Sequence, residues 1–212
     1  MKQKNGAYIV LGAGIEQEYL YELLKKNNIK IITVDKNSNA HCIKYSDFYI
    51  CHSIKNYKNL YNILKKKLIK YNLKPLSIMT IATDNPVSIS YLCRKFNLAS
   101  ISLNSAKKVS NKILMKKEFK KKNIPTSKFF TFNSKKKFEK FYQHQKKDLI
   151  IKPSNSSGSR GVFLLNSNYD KKKINSYFDK SLQYSSEKTK RVIVEEYLEG
   201  PQISAEGIFY KD

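Results

Sequence analysis

Leu149-Ile150-Ile151-Lys152-Pro153-Ser154-Asn155-Ser156-Ser157-Gly158-Ser159-Arg160-Gly161-Val162-Phe163-Leu164-Leu165 is the stretch on which the reading of this chain turns. An apolar run of strand type ends in a lysine. A loop of small hydroxyl residues and two glycines follows, and residues 162–165 return as a second strand, which makes a hairpin. Small residues let backbone N–H groups approach an anion closely, and hydroxyls add donors. The lysine at the head of the loop supplies a point charge for phosphate oxygens. The order differs from a P-loop, where the lysine follows the glycines and a helix comes next. A plain solvated turn does not call for a lysine-led polar segment of this length.

Toward the N-terminus the pattern is α/β. Tyr8-Ile9-Val10-Leu11 is a short buried strand that ends at Gly12-Ala13-Gly14, and a helix with Leu20, Leu23 and Leu24 on one face follows. Residues 29–34 form the next strand, closed by Asp35, and residues 45–50 a third. Leu60, Ile63, Leu64 and Leu68 mark a second amphipathic helix, and residues 76–82 are a buried strand. Asn85-Pro86 then starts a helix with a capping side chain and proline at its first position; Ile89, Leu92, Cys93 and Phe96 line its inner face. Strands alternating with helices predict a parallel sheet covered on both sides over residues 1–104.

Beyond residue 104 the character changes. Residues 105–122 read as one lysine-laden helix, broken by Ile124-Pro125-Thr126, and residues 129–132 as extended. Ser134 is placed to cap a helix carrying Phe138, Phe141 and Tyr142. After the hairpin, a helix with Ile174, Tyr177, Phe178 and Leu182 precedes strands at 191–195 and 204–208. The lysine runs at 65–67, 120–122, 135–137 and 171–173 read as solvated helix faces.

The formal charge of +24 invites a nucleic-acid reading. Yet Arg94, Arg160 and Arg191 are the only arginines among 41 basic residues, while Asn, Ile and Tyr abound and Trp is absent. That is the bias an AT-rich genome imposes on codons, and nucleic-acid sites favour the arginine fork. No nucleic-acid partner is therefore expected. The chain has no apolar run of about 18 residues, so no membrane partner is expected either. The N-terminus lacks the pattern of a secretory leader. Cys42, Cys51 and Cys93, an odd and sparse set, suit a reducing compartment, and a cytoplasmic location is expected. His41-Cys42 and Cys51-His52 match no common zinc spacing and read as thiols near strand ends, so no metal is assigned to residues of this chain.

Three segments together resemble the ATP-grasp superfamily, in its biotin carboxylase-like and carbamoyl-phosphate synthase-like branches. Residues 152–162 resemble its flexible glycine-rich loop. Asn111-Lys112-Ile113-Leu114-Met115-Lys116 resembles its upstream lysine motif, and Val194-Glu195-Glu196-Tyr197-Leu198-Glu199-Gly200-Pro201 its adenine-holding hinge. Residues 1–104 resemble the Rossmann-like preATP-grasp domain. The resemblance implies an α/β chain, with a preATP-grasp domain at 1–104 and the first part of an α+β ATP-grasp module at 105–212. Within that module it implies a small lid subdomain at about 134–194 and the start of a C-terminal subdomain at about 195–212.

The resemblance also implies roles. Lys112 and Lys152 would contact phosphates. Ser154, Ser156, Ser157, Gly158, Ser159 and Gly161 would belong to a mobile lid with no structural duty, and Lys152 would face solvent when no ligand is bound. Glu195 would face the adenine amino group, and the backbone of Glu196 and Leu198 would bond the adenine edge. Gln202 stands where the family has a ribose-binding acid, which implies altered ribose contacts. Gly12 and Gly14, with Thr83, Asp84 and Asn85 on the same carboxyl edge of the sheet, are substrate candidates; turn and cap chemistry is the alternative for both sets. A dinucleotide site at Gly12 and Gly14, with Asp35 as ribose acid, is a weaker alternative because Gln17 replaces the third glycine.

The implied cofactors are ATP and magnesium, with the magnesium ligands expected beyond Asp212 and the chain expected to be truncated before them. The implied activity is a ligase that activates a small carboxylate as an acyl phosphate for capture by an amine. The alternative is a nucleotide-binding chain without catalysis. A homodimer is left open.

Overall fold

Apolar residues at successive positions make the first strand fit to be buried on both faces, and the computed structural model places it at the centre of a sheet. The structure describes residues 5–185, 190–205 and 207. The chain divides into two compact units, Met1–Met115 and Lys116–Asp212.

In the first unit, β1 (Gly6–Leu11), β2 (Lys30–Asp35), β3 (Phe48–Cys51) and β4 (Lys74–Met79) form a parallel sheet in the order β3-β2-β1-β4. Side chains alternate along β1. Ala7, Ile9 and Leu11 pack with Leu60, Leu64 and Leu68 of α2 (Tyr57–Lys70) and with Leu92 and Cys93 of α3 (Pro86–Lys95). Val10 packs on the other face with Tyr21 and Leu24 of α1 (Glu18–Lys26) and with Cys42. The sheet is thus covered on both sides, as the alternation of elements predicts.

Several local expectations shift. On α1 the inward residues are Tyr21, whose Oη donates to Gly12 O, and Leu24, whereas Leu23 is exposed. The third strand begins at Phe48, since His41–Tyr45 is wound as 3-10 helix. There Glu18 Oε1 accepts from Tyr45 Oη at 2.7 Å and faces His41 and Lys44 at 2.8 and 3.0 Å. These contacts hold the Glu18 carboxyl down at about 2. Asn85 and Pro86 do begin α3, but Asn85 makes no cap bond to the backbone. Its Oδ1 accepts from Ser88 Oγ at 2.8 Å and its Nδ2 donates to Ile54 O at 3.1 Å. The single helix expected at 105–122 is two, α4 (Leu103–Val109) and α5 (Lys112–Lys121). Ser110 bonds back to Ala106 O at 2.7 Å, and Asn111 Oδ1 accepts from the amides of Ile113 and Leu114 at 3.0 Å, so a new helix starts.

In the second unit, β5 (Phe129–Phe132), β6 (Leu149–Pro153), β7 (Phe163–Leu165) and β8 (Val192–Glu196) form an antiparallel sheet in the order β5-β8-β6-β7. Helices α6 (Lys135–Tyr142) and α7 (Lys171–Gln183) cover one face, where Phe138, Ile174 and Phe178 meet Leu149, Ile151, Val192 and Val194. Ser134 precedes α6 without a cap bond; Asp170 caps α7 by accepting from Lys173 N at 2.7 Å. The strand expected at 204–208 falls mostly outside the described residues; Ser204, Ala205 and Gly207 have no regular structure.

Phe138 is fully buried, with ring centroids 5.1 Å from Phe178 and 5.7 Å from Phe132. Phe138→Ala should cost about 3–5 kcal/mol of stability in urea unfolding. A loss under about 1 kcal/mol would place this ring outside the core.

Candidate functional site

Antiparallel pairing decides which residues share the second face of this sheet. Ile150 lies opposite Glu195, and Lys152 opposite Ile193, so these four point away from the face that α6 and α7 cover. Lys152 and Glu195 are diagonal neighbours, and Lys152 Nζ lies 2.9 Å from Glu195 Oε1. Lys116 of α5 reaches the same carboxylate, with Nζ 2.9 Å from Oε2. Ser127 Oγ accepts from Lys116 Nζ at 2.7 Å and donates to Glu195 Oε2 at 3.0 Å. Glu195 is 6% exposed and Lys116 8%.

Burial is the largest influence on the Glu195 carboxyl and pushes it up. Hydrogen bonds from Lys116 and Lys152, with the charge of both, outweigh burial and hold the group below the usual carboxylate range. Its two oxygens differ. Oε2 is pinned by Lys116 and Ser127. Oε1 faces the half-buried Lys152 ammonium at 2.9 Å.

The loop after β6 is anchored at both ends. Ser154, fully buried, donates its amide to Arg191 O at 3.2 Å and meets Ser185 Oγ at 3.2 Å. At the far end Ser181 Oγ of α7 donates to Gly161 O at 2.6 Å. Gly161 has φ +75°, and a Cβ there would stand 2.8 Å from Tyr184 Cδ2 and 3.0 Å from Pro153 Cγ, so only glycine fits. Between the anchors Ser156 and Ser157 are half-buried, Gly158 and Ser159 exposed, and a Cβ on Gly158 would meet nothing within 4 Å. The expectation that all of 154–161 lacks structural duty is corrected at Ser154 and Gly161. The expectation that Lys152 faces solvent is corrected too: it is half-buried and paired.

Lys112 opens α5, one turn before Lys116. Lys116 and Ser127 join the site without a sequence motif that assigns them there; Lys116 ends the lysine motif at 111–116, and helical spacing from Lys112 is the one signal of it. The Glu196 amide donates to Lys128 O at 3.0 Å, which leaves a ligand only its carbonyl. Leu198 and Gln202 are exposed in the irregular segment after β8.

In the first unit, the loop at the end of β1 is closed on itself. Gly12 has φ +98°, and a Cβ there would stand 2.2 Å from Gln17 Nε2, because the Gln17 side chain lies over this glycine. Tyr21 Oη donates to Gly12 O at 2.7 Å, and Cys42 Sγ to Gly14 O at 3.0 Å. Asp35 accepts from Ala13 N at 2.9 Å and from Asn37 N at 2.8 Å. The Gln17 side chain covers Gly12, and each oxygen of Asp35 accepts a backbone N–H. Thr83 and Asp84 lie at the carboxyl end of β4, after Ala82 at φ +53°, while Asn85 serves the start of α3. Among the described residues no group of three or more His, Cys, Asp or Glu could hold a metal, and no helix is long and apolar enough to cross a membrane.

Residues 110–211 match the family described as Phosphoribosylglycinamide synthetase, ATP-grasp (A) domain. No curated protein sequence matches the chain. Among solved structures, the chain is similar to N5-carboxyaminoimidazole synthetase from Staphylococcus aureus complexed with ADP, at 16% identity and a TM-score of 0.70, over 93% of this chain and 48% of that one. Phosphoribosylglycinamide synthetase from Anaerococcus prevotii matches at 25% identity and a TM-score of 0.58, over 92% and 46%. L-amino acid ligase from Bacillus licheniformis matches at 12% and 0.71, over 95% and 46%. The chain therefore spans about half the length of these proteins.

Replacing Glu195 by glutamine leaves two largely buried ammonium groups unpaired. Glu195→Gln should cost about 3–5 kcal/mol at pH 7. A depressed carboxyl contributes its stability in full above the ordinary carboxylate value and loses it as pH falls through the lower folded value. The gap between wild type and variant should therefore narrow below about pH 4 in denaturant melts. A gap that is constant with pH would contradict the ion-pair account.

Proposed function

Given a chain that has the ATP-grasp fold and belongs to the ATP-grasp superfamily, we propose that it supplies the nucleotide-binding part of a ligase. That ligase uses ATP to activate a small carboxylate as an acyl phosphate, which an amine then captures. The observation that carries the proposal is the sheet face turned away from α6 and α7, on which Lys152 and Glu195 stand together at the root of the polar loop.

In this reading the base lies on Ile150 and Leu164, paired across β6 and β7 on that face. Glu195 Oε1, which only Lys152 faces, takes the exocyclic amino group once that lysine turns to phosphate. The Glu196 carbonyl and the Leu198 backbone follow the base edge, and Gln202 bonds ribose hydroxyls. Lys152 and Lys112 neutralise phosphate charge, and the amides and hydroxyls of Ser156, Ser157, Gly158 and Ser159 fold over the phosphates. Ser154 and Gly161 are the fixed ends from which that span swings. Triphosphate carries more negative charge than one carboxylate, so it draws Lys152 off Glu195 and exposes Oε1 to the base.

Within the first unit, Gly12, Gly14, Thr83, Asp84 and Asn85 are proposed to contact the substrate. Magnesium, a soluble cytoplasmic setting and the acyl-phosphate step belong to the proposed whole ligase. The described residues offer no cluster to hold the metal.

Lys152→Ala removes a charge-assisted contact worth about 1.5–3 kcal/mol. Calorimetric titration should show ATP bound roughly ten- to hundredfold more weakly. Stability without nucleotide should fall by only about 1 kcal/mol, because Lys116 still pairs Glu195. Unchanged ATP affinity with a large loss of stability would make Lys152 structural and overturn the proposal at this residue.

A further inference from the structure

Lys116 lies outside every role assigned above, yet it is the most buried cation of the site, at 8% exposure. Its ammonium is shared between Glu195 Oε2 and Ser127 Oγ, and Ser127 in turn donates to the same Oε2. One carboxylate oxygen is thereby held from two sides, and the other faces only Lys152, the cation that phosphate draws away in the proposed nucleotide complex. A carboxylate free to turn about its last torsion would present either oxygen, or both edges equally. This one is fixed.

The geometry points to Lys116 as a positioning residue for base choice: with Ser127 it locks the Glu195 carboxylate so that Oε1 accepts from a 6-amino group and rejects a 6-oxo group. The inference rests on the reading of this face as an ATP site and adds to it the group that makes the site discriminate. Adenine offers a donor at the 6-position, and hypoxanthine offers an acceptor there with little other change. A fixed anionic acceptor facing a carbonyl oxygen leaves both buried and unpaired, which sites built for a hydrogen bond reject strongly. The discrimination needs Glu195 both ionised and immobile. Lys116 serves both ends, as does Lys152 until phosphate draws it away. Two cations face the carboxylate, Lys116 from α5 and Lys152 from β6; its neighbours across the sheet, Phe129 and Ile150, are uncharged.

Without Lys116 the buried carboxyl loses a cation and shifts up, so it protonates more readily. A protonated carboxyl can donate to a 6-oxo group. Discrimination should then weaken, and weaken further as pH falls. A purely structural lysine would alter stability and leave this ratio, and its pH dependence, untouched.

The test is calorimetric titration of the full chain with ATP and with inosine triphosphate, from pH 8 to pH 5.5. Wild type should prefer ATP by about a hundredfold at pH 7.5, with little change over that range. Lys116→Met should bring the preference within about fivefold and make it fall with pH. Lys116→Arg, which keeps the charge and the donors, should retain most of it. Ser127→Ala removes one contact to Oε2 and should lower the preference several-fold; it decides the matter if Lys116→Met does not fold. Folded Lys116→Met or Ser127→Ala protein with the wild-type ratio would overturn the inference and leave the ATP reading standing. Wild type that binds neither nucleotide would overturn the ATP reading, and the inference with it.

Discussion

A buried carboxylate between two ammonium groups sets the terms for this site. Glu195 sits on a central strand of its sheet, flanked by β5 and β6, so its backbone cannot move without breaking two ladders. Removing its charge from water is costly, and the cost is offset only because Lys116 and Lys152 arrive at 2.9 Å from different elements. The pairing register is what makes this possible. A slip of one residue would turn Glu195 into the cluster under α6 and α7 and bring Val194 out.

The loop after β6 shows how a polar segment becomes a span with two fixed ends. Ser154 is tied to Ser185 and Arg191 and Gly161 to α7, so the chain must leave and rejoin the sheet at set points. The six residues between them bury little, and the backbone is left-handed at Gly158 and Ser159. Low burial between rigid anchors is the physical condition for local opening at small cost. The strand that carries Lys152 is held by its pairing with β7 and β8, apart from the loop above it.

The carboxyl edge of the first unit obeys a different economy. Its glycine loop is drawn inward by Gln17, Asp35, Tyr21 and Cys42. What looks in sequence like an open phosphate turn is packed by its own neighbours. Thr83 and Asp84 remain at the end of β4, on the edge where ligands of parallel sheets collect.

Periodicity and local chemistry determined much of this protein. The alternation of apolar runs and helical stripes gave the parallel sheet and its two covers, because each element needs a buried face that its own sequence spells out. Lys152 and the loop after it were legible because a strand, a lysine and small polar residues are contiguous. Local detail failed where a single side chain decides the outcome: Asn111 starts a new helix, and Tyr21, bonded to Gly12 O, takes an inward place on α1 while Leu23 is exposed. Only the tertiary structure decided the partners of Glu195. Lys116 and Ser127 lie 79 and 68 residues away in sequence, and no pattern within a helix or loop encodes a contact that exists only once β8 is paired and α5 packs near it. The same holds for Gln17 over Gly12. Sequence fixes which groups can bond; the fold decides which of them are brought close enough to do so.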